Sequence, residues 1–196
     1  MSGRNIRVVG VDPSLTDTGV AELVVTPDDH WTLFTWSFKS SGRRGDGLRT
    51  RNDRLRDITS NVRMYASHAD LVVIENPAYG SRVGSMHDRS GLWWSLVRSF
   101  LMADIPVVTV EPTKLKLFAT GSGRAKKQDM IASAQLNWGD YKRADNDNVA
   151  DAVHLATMGA ALLDLPLPFT LTDEASRAVR GVELPDNWEE VQSHVA

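Results

Sequence analysis

Two apolar segments of the chain end in a carboxylate, and a third carries one in its middle. Residues 7–11 run directly into Asp12, and residues 71–74 run into Glu75. Asp151 stands among small and apolar residues of a predicted helix. Burying a carboxylate costs free energy unless a positive charge compensates for it. Three such acids, if the fold brings them together, predict a divalent metal site and metal-assisted phosphodiester chemistry.

The composition is that of an ordinary globular protein. A chain of 196 residues with 24% charged and 42% hydrophobic residues fits a single domain with a substantial core. The absence of cysteine excludes disulfides, zinc–thiolate sites and thiol nucleophiles. No apolar run approaches the roughly 20 residues that span a bilayer, and residues 1–5 contain no apolar signal segment. We therefore expect a cytoplasmic protein that does not enter membranes.

Charge is distributed unevenly along the chain. Residues 165–196 carry six acids and two bases, whereas residues 1–164 carry 20 bases and 19 acids. The bases concentrate in two stretches: seven against two acids in residues 39–56, and ten against five in residues 79–143. Local basic stretches of this kind indicate a polyanionic partner better than the overall net charge of −3 does.

The pattern of apolar residues predicts an α/β fold. Period-two patterns predict strands at about 5–11, 18–25 and 31–38, joined as an antiparallel meander. The further predicted elements are a helix at 47–66, a strand at 70–75, a helix at 88–103, a strand at 107–110, a short helix from Pro112, and helices at 125–136 and 146–163. This order predicts a mixed sheet with helices on both faces.

The last 32 residues differ from the rest of the chain. Pro166 and Pro168 end the helical pattern, and residues 186–189 resemble a capping box for one short final helix. We predict a main domain over 1–164 and an acidic appendage over 165–196. The pattern leaves open whether the appendage packs on the main domain or is loosely tethered to it.

Four segments carry a family resemblance, in the right order and on matching elements. Residues 10–19 are similar to a first-strand motif, residues 73–75 to a fourth-strand glutamate, residues 120–127 to a glycine-rich basic segment, and residues 147–152 to a final acidic helix. Over residues 5–163 the chain resembles the RuvC-type Holliday junction resolvases of the RNase H-like (retroviral integrase) nuclease superfamily.

The resemblance implies both a fold and an activity. The fold would be an RNase H-like five-stranded mixed sheet with three antiparallel strands followed by two parallel ones. The activity would be a Mg²⁺-dependent endonuclease, with two ions per active site and Mn²⁺ as a substitute. Its substrate would be branched DNA, above all four-way junctions, which a homodimer would cut by paired symmetric nicks.

Three acids are the first candidates for catalytic and metal-binding roles. These are Asp12, Glu75 and Asp151, because carboxylates on strands and helices can hold metal ions rigidly. Each also has a simpler interpretation. Asp12 can form a turn before Pro13, Glu75 can form an ion pair, and Asp151 can cap or pair on its helix.

The fourth ligand is where the chain departs from the family. The family places an acid or histidine three residues before the last aspartate, and here that position is Asn148. Asp147 is our candidate for the fourth catalytic and metal-binding residue, since residues four apart share a helical face with Asp151. Asn148, Asp145 and His154 remain alternatives, and a buried structural role is equally consistent with His154.

A basic segment is the candidate for DNA binding. Arg124, Lys126 and Lys127 follow a glycine pair at a predicted helix start, where exposed amides and cations suit phosphate. Lys114 and Lys116 lie just upstream and extend the positive charge. The alternative is an ordinary solvated helix start.

Aromatic residues add two further predictions. Tyr79 falls near the place where the family carries an aromatic that stacks on opened bases, although its spacing is shifted by one residue. Trp93 and Trp94 are adjacent and cannot both face the core, so one of them is a candidate for a dimer contact. A second basic stretch can contact DNA or form an exposed helix face, and it contains Arg43, Arg44, Arg49, Arg51, Arg54 and Arg56.

Other functions fit the sequence less well. An actin-like sugar kinase or ATPase also begins with a strand that ends in aspartate, but this chain is short for two such subdomains. It also lacks an aspartate before the glycine pair of residues 121–123. A non-cleaving junction-binding protein is favoured by Asn148 at the ligand position. A less selective branched-DNA nuclease is the nearest enzymatic alternative.

Overall fold

The computed structural model describes residues 3–77, 86–139 and 146–195. The five strands are β1 (Ile6–Asp12), β2 (Asp17–Val25), β3 (Trp31–Lys39), β4 (Leu71–Glu75) and β5 (Val107–Val110). The helices of the described residues are α1 (Leu48–Tyr65), α2 (Met86–Leu101), α3 (Pro112–Thr120), α4 (Lys127–Trp138), α5 (Asp147–Leu162), α6 (Asp173–Arg180) and α7 (Trp188–Val195). The predicted elements of residues 5–163 are all present, with ends that differ by two residues at most.

The strands form one mixed sheet in the order β3-β2-β1-β4-β5. The pairs β1–β2 and β2–β3 are antiparallel, whereas the pairs β1–β4 and β4–β5 are parallel. This topology confirms the predicted fold class. Strands β1 and β4 are parallel neighbours inside the sheet. The acids that end them, Asp12 and Glu75, therefore lie side by side at the carboxyl ends of these strands.

Helices cover both faces of the sheet. Side chains of α3, α4, α5, α6 and α7 pack into one core cluster with residues of one sheet face. Side chains of α1 and α2 pack into a second cluster on the opposite face. Strands β1, β2 and β4 are buried along almost their whole length, which explains their nearly continuous apolar sequences, whereas most of β3 is exposed or half-buried.

Helix α5 lies unusually close to the sheet because glycine faces it. A Cβ added at Gly10 in β1 would lie 2.0 Å from the carbonyl oxygen of Ala152. A Cβ at Gly19 in β2 would lie 2.1 Å from the carbonyl oxygen of Asn148. No side chain fits at either position, so the backbone of α5 rests directly on β1 and β2. This contact carries Asp151 toward the end of β1.

The C-terminal segment packs on the main domain. Its buried residues belong to the same core cluster as α5, and they are Leu165, Ala175, Ala178, Val182, Trp188, Val191 and Val195. The Lys114 ammonium of α3 donates to the Gly181 carbonyl. The division at residue 164 stays a prediction, but the appendage is docked rather than loosely attached.

The sequence patterns predicted one helix in this segment, and the structure contains two. Helix α6 was missed although it has helix signals. The Thr172 hydroxyl accepts from the Ala175 amide at 3.1 Å, acids occupy the first turn, arginines occupy the last, and Gly181 follows. The helix is only eight residues long, so its apolar periodicity is too short to stand out from the sequence.

Among the helices of the described residues, none is both long enough and apolar enough to span a bilayer.

Candidate active site

Two carboxylates meet at the ends of β1 and β4. The Asp12 side chain is buried, with 7% of the residue exposed, and its interaction with the Glu75 carboxyl group shifts the pKa values of both groups. Two neighbouring carboxylates repel each other when both are ionised. A bound cation at this place would relieve that repulsion.

Helix α5 supplies two more acids to the same place. Asp151 repels both Asp12 and Glu75 electrostatically, and Asp147 repels Asp12 and Asp151. The Asp151 Oδ1 atom is buried and has no hydrogen-bond partner in the part of the chain that the structure describes. An unsatisfied buried carboxylate oxygen is rare and calls for a bound partner such as an ion.

The proton affinities of these groups reflect their crowding. Burial, followed by the charges of Glu75 and Asp151, raises the pKa of Asp12 well above its ordinary value. Burial also raises the pKa of Asp151 to about 7, with Glu75 and Asp147 adding to the effect while Lys116 and Lys127 oppose it. Burial raises the pKa of Glu75 as well, against the opposing hydrogen bond from Asp12. The site thus holds more negative charge than its surroundings compensate for.

The donor set fits a hard divalent cation. Carboxylate oxygens are the ligands that Mg²⁺ prefers, and a cation here would satisfy Asp151 and relieve the repulsion among the four acids. Within residues 3–77, 86–139 and 146–195, however, no three acidic or histidine side chains stand together at metal-ligand spacing. Asp147 forms an ion pair with Lys127. The acids converge without being preassembled into a cage.

The alternatives for the fourth ligand are placed differently. The Asn148 amide donates to the Asp17 carbonyl at 2.6 Å. His154 is 1% exposed, and its Nε2 atom lies 3.0 Å from the Met130 carbonyl oxygen in the core. Burial lowers the pKa of His154 to about 4, as expected for a neutral core histidine. Asp145 lies outside the described residues.

The predicted basic residues are divided by the fold. Lys116 and Lys127 act electrostatically on Asp151, so both face the acidic site. Lys114 instead binds the Gly181 carbonyl. Arg124 and Lys126 are exposed beside the start of α4. The glycine-rich basic segment therefore borders the acids, and Lys114 fastens the C-terminal segment.

The other predicted DNA contacts are less informative. Tyr79 lies outside the described residues. In the second basic stretch, Arg51 pairs with Asp88, and Arg54 donates to the Leu15 carbonyl and to Ser40. These two arginines serve internal contacts of the fold.

The structure also shows polar residues of the site that the sequence patterns did not single out. Glu111 comes directly after β5, whereas Glu75 is the last residue of β4. The Glu111 carboxylate accepts from the Asn76 amide at 2.9 Å. Its charge contributes to the raised pKa of Glu75. The repeated pattern of an apolar strand ending in an acid was the available signal. Trp93 donates from Nε1 to the Glu75 carbonyl at 3.0 Å, a contact with no signal in the sequence.

No protein-family model matches the chain. The chain is 27% identical over 169 residues to the RuvC crossover junction endodeoxyribonuclease of Rhodopirellula baltica, covering 82% of this chain and 89% of the relative. It is 23% identical over 155 residues to the protein of the same name from Prochlorococcus marinus, covering 77% and 94%.

Solved structures agree at the level of the fold. The Thermus thermophilus RuvC structure matches with a TM-score of 0.64 at 18% identity, over 84% of this chain and 100% of that one. The yeast mitochondrial Holliday junction resolvase Ydc2 matches with a TM-score of 0.54 at 12% identity, over 78% and 76%. These comparisons confirm the resemblance predicted from the four motifs. The chain is similar in sequence to RuvC crossover junction endodeoxyribonucleases and has the fold of RuvC-type resolvases.

Proposed function

We propose that the chain is a metal-dependent endonuclease that resolves four-way DNA junctions by paired symmetric nicks. The observation that carries the proposal is that the charges of Glu75, Asp147 and Asp151, from β4 and α5, all act on Asp12 of β1, while a buried oxygen of Asp151 has no hydrogen-bond partner among the described residues. The names of the relatives, crossover junction endodeoxyribonucleases, support the same activity. A fold alone would not, because one fold serves many functions.

In this proposal the four acids are the metal ligands. Asp12, Glu75 and Asp151 hold Mg²⁺, with room for Mn²⁺ in its place, and Asp147 completes the set after Lys127 releases it. The bound ions would activate water and stabilise the charge of the departing 3′ oxygen. Water is the nucleophile, so no covalent intermediate with the enzyme forms.

Basic residues would bind the DNA strand beside the acids. Lys116 and Lys127 act electrostatically on Asp151 and would bind the phosphate next to the scissile bond. Arg124 and Lys126 are exposed and would bind phosphates further along the strand. Tyr79 is proposed to stack on an unpaired base at the crossover. Lys114 was predicted to bind DNA, and its bond to Gly181 favours a supporting role.

We also propose that the enzyme is a homodimer joined through α2. Helix α2 and its C-terminal end expose Trp94, Leu101 and Met102 at 62%, 57% and 74%. Trp93 faces inward and binds the end of β4, so of the two tryptophans Trp94 is the one available to a partner. A four-way junction has near two-fold symmetry, and paired nicks require two active sites related by a two-fold axis.

The dimer can be tested by sedimentation. Trp94→Glu would place a charge in an apolar contact, and we expect it to give a monomer that nicks single strands without pairing the cuts. Leu48→Glu, at a residue of α1 that is 80% exposed, is the matched control and should remain dimeric. If the Trp94→Glu variant remained dimeric, α2 would not be the dimer interface.

The function itself is tested with a labelled synthetic four-way junction beside a linear duplex of the same sequence. We expect paired symmetric nicks in the junction with Mg²⁺, and none with EDTA or in Asp12→Asn. Tight junction binding without cleavage under Mg²⁺ or Mn²⁺ would instead favour a non-cleaving junction-binding protein. The second candidate is considered because Asn148, at the family's ligand position, makes a structural hydrogen bond. Equal cleavage of forks and flaps would favour a less selective branched-DNA nuclease.

A further inference from the structure

Asp17, at the start of β2, forms hydrogen bonds both with β3 and with the beginning of α5. Its Oδ1 atom accepts from the Ser37 hydroxyl of β3. Its Oδ2 atom accepts from the Asn146 amide at 2.6 Å, and its backbone carbonyl accepts from the Asn148 amide at 2.6 Å. We call Asp17, Asn146 and Asn148 the Asp17 clasp. It ties the beginning of α5 to the β1–β2 hairpin.

Next to the clasp, the backbones of α5 and β2 are in direct contact, with no space for a side chain between them. A Cβ at Gly19 would lie 2.1 Å from the Asn148 carbonyl oxygen, so the backbone of α5 already touches β2 there. The Asn146 Oδ1 atom also caps α5 by accepting from the Asn148 amide of the backbone at 2.9 Å. Both asparagine side chains are therefore used to fix where the helix begins and how closely it approaches the hairpin.

The clasp residues lie on the same elements as three acids of the site. Asp147 lies between the two clasp asparagines in sequence, and Asp151 follows Asn148 by three residues, one helical turn. Asp12 pairs with Gly19 across the hairpin. The β1–β2 hairpin, which contains Asp17, therefore also carries Asp12. Helix α5, whose start the asparagines fix, carries Asp147 and Asp151.

We propose that Asp17 and Asn148 are positioning residues that hold Asp147 and Asp151 toward Asp12 and Glu75. This inference rests on the proposed function. It assigns Asn148 to the support of the site rather than to metal binding, and it leaves Asp147 as the fourth ligand. The departure from the family's acid or histidine at this position then has a physical reason.

The reason is the kind of hydrogen bond that the position must make. The Asp17 carbonyl is an acceptor and needs an N–H or O–H donor, which the asparagine amide provides. A carboxylate at position 148 would turn lone pairs toward that carbonyl and add a negative charge beside the Asp17 side chain. An acceptor that is partly shielded from water and has lost its donor destabilises the fold.

The variant Asn148→Asp distinguishes a positioning residue from a metal ligand, because the two roles predict opposite changes in Mn²⁺ affinity. If Asn148 is a positioning residue, the variant unfolds at a lower temperature in EDTA and binds Mn²⁺ roughly 10-fold or more weakly in calorimetry. If Asn148 is itself a ligand, the added carboxylate tightens Mn²⁺ binding. Unchanged or tighter binding overturns the proposal. Asn52→Asp, on an exposed position of α1, is the matched control and should change neither quantity.

A second variant covers the case in which Asn148→Asp does not fold. Asn146→Ser keeps a favoured helix-capping side chain but removes the amide that donates to Asp17. A positioning clasp predicts weaker Mn²⁺ binding by Asn146→Ser as well, although position 146 is not the family's ligand position. Unaltered Mn²⁺ affinity in this variant overturns the proposal.

Kinetics distinguish positioning from a general loss of folded protein. Well below the unfolding temperature, we expect the nicking rate of the variants to recover as Mg²⁺ is raised, with KM for the junction unchanged. A variant that is merely less folded would show a lower rate at every Mg²⁺ concentration, and that result would count against the proposal. The unfolding and calorimetric results do not depend on nuclease activity. If the wild type binds Mn²⁺ but cuts no junction, the proposed function fails while the clasp is still decided by metal affinity.

Discussion

At the scale of single residues, the buried acids of the site oppose folding when no cation is present. The folded-state pKa of Asp12 is raised above its unfolded value, so its contribution to stability is present below the unfolded pKa and is lost as the pH rises. At neutral pH the folded metal-free protein therefore carries a penalty that a neutral side chain would remove. The loss of one ligand would at the same time abolish metal-assisted chemistry.

We therefore predict that Asp12→Asn is more stable than the wild type in EDTA and inactive with Mg²⁺. The melting temperature should rise by roughly 2–4 °C for each kcal/mol recovered, and nicking should fall by about 10³-fold or more if several kcal/mol of metal stabilisation are lost. Calorimetry with and without Mg²⁺ checks the first part, because Mg²⁺ should raise the melting temperature of the wild type alone. A variant that melts lower than the wild type in EDTA would show that Asp12 has a structural role.

His154 predicts a pH dependence of the opposite sign. Its folded-state pKa is about 4, below the ordinary value of 6.5, so the unfolded chain takes up a proton that the folded chain refuses. Stability from this residue is present above pH 6.5 and is lost as the pH falls toward 4. The 2.5-unit difference corresponds to about 3 kcal/mol at 1.36 kcal/mol per unit.

The test compares the wild type with His154→Gln, because Asp151, whose pKa is raised to about 7, also titrates in this pH range. We expect the difference in unfolding free energy between the two proteins to shrink by about 3 kcal/mol from pH 7 to pH 4. Urea unfolding at several pH values in EDTA measures it. A constant difference would mean that the folded protein protonates His154 at the same pH as the unfolded chain does, contrary to the effect of its burial.

At the scale of elements, the close approach of α5 to the sheet decides whether the acids meet. We predict that Gly10→Ala destabilises the protein by about 3 kcal/mol, because its Cβ would lie 2.0 Å from the Ala152 carbonyl oxygen. Mn²⁺ affinity should fall too, since α5 must move away from β1. Gly3→Ala is the control, as a Cβ there has nothing within 4 Å. A Gly10→Ala variant with normal stability would show that α5 is free to shift.

The glycine-rich basic segment predicts a salt effect. The double variant Arg124→Gln with Lys126→Gln should reduce the slope of junction affinity against salt concentration by about 2 on logarithmic axes, close to 0.9 per lost phosphate contact. Fluorescence anisotropy over a range of salt concentrations measures the slope. Arg180→Gln, in α6, should leave it unchanged. An unaltered slope in the double variant would place the DNA elsewhere.

At the scale of the whole molecule, the C-terminal segment is part of the core. Trp188 is 9% exposed and packs in the same cluster as α5. We predict that Trp188→Ala costs about 3 kcal/mol of stability, whereas Leu184→Ala, at a residue that is 45% exposed, costs little. Thermal unfolding compares them. Equal melting temperatures would mean that the segment contributes nothing to folding.

Several features were predictable because they depend on neighbours in sequence. Alternation of apolar residues predicted the strands, helical periodicity predicted the longer helices, and their order predicted the mixed sheet. An acid at the end of an apolar strand identified Asp12 and Glu75 as candidates. The same rule applied to β5 would have identified Glu111. Helix α6 was not predicted because its eight residues are too few to show a clear helical periodicity of apolar side chains.

Other features depend on contacts between distant parts of the chain, and only the tertiary structure decided them. Asp17 and Asn148 are 131 residues apart, and Lys114 meets Gly181 across 67 residues. The sequence could not tell which lysines face the acids, because Lys114 and Lys116 lie on one short helix with similar neighbours. Local patterns determine which elements form. Side-chain partners are determined by how those elements pack, which no local pattern records.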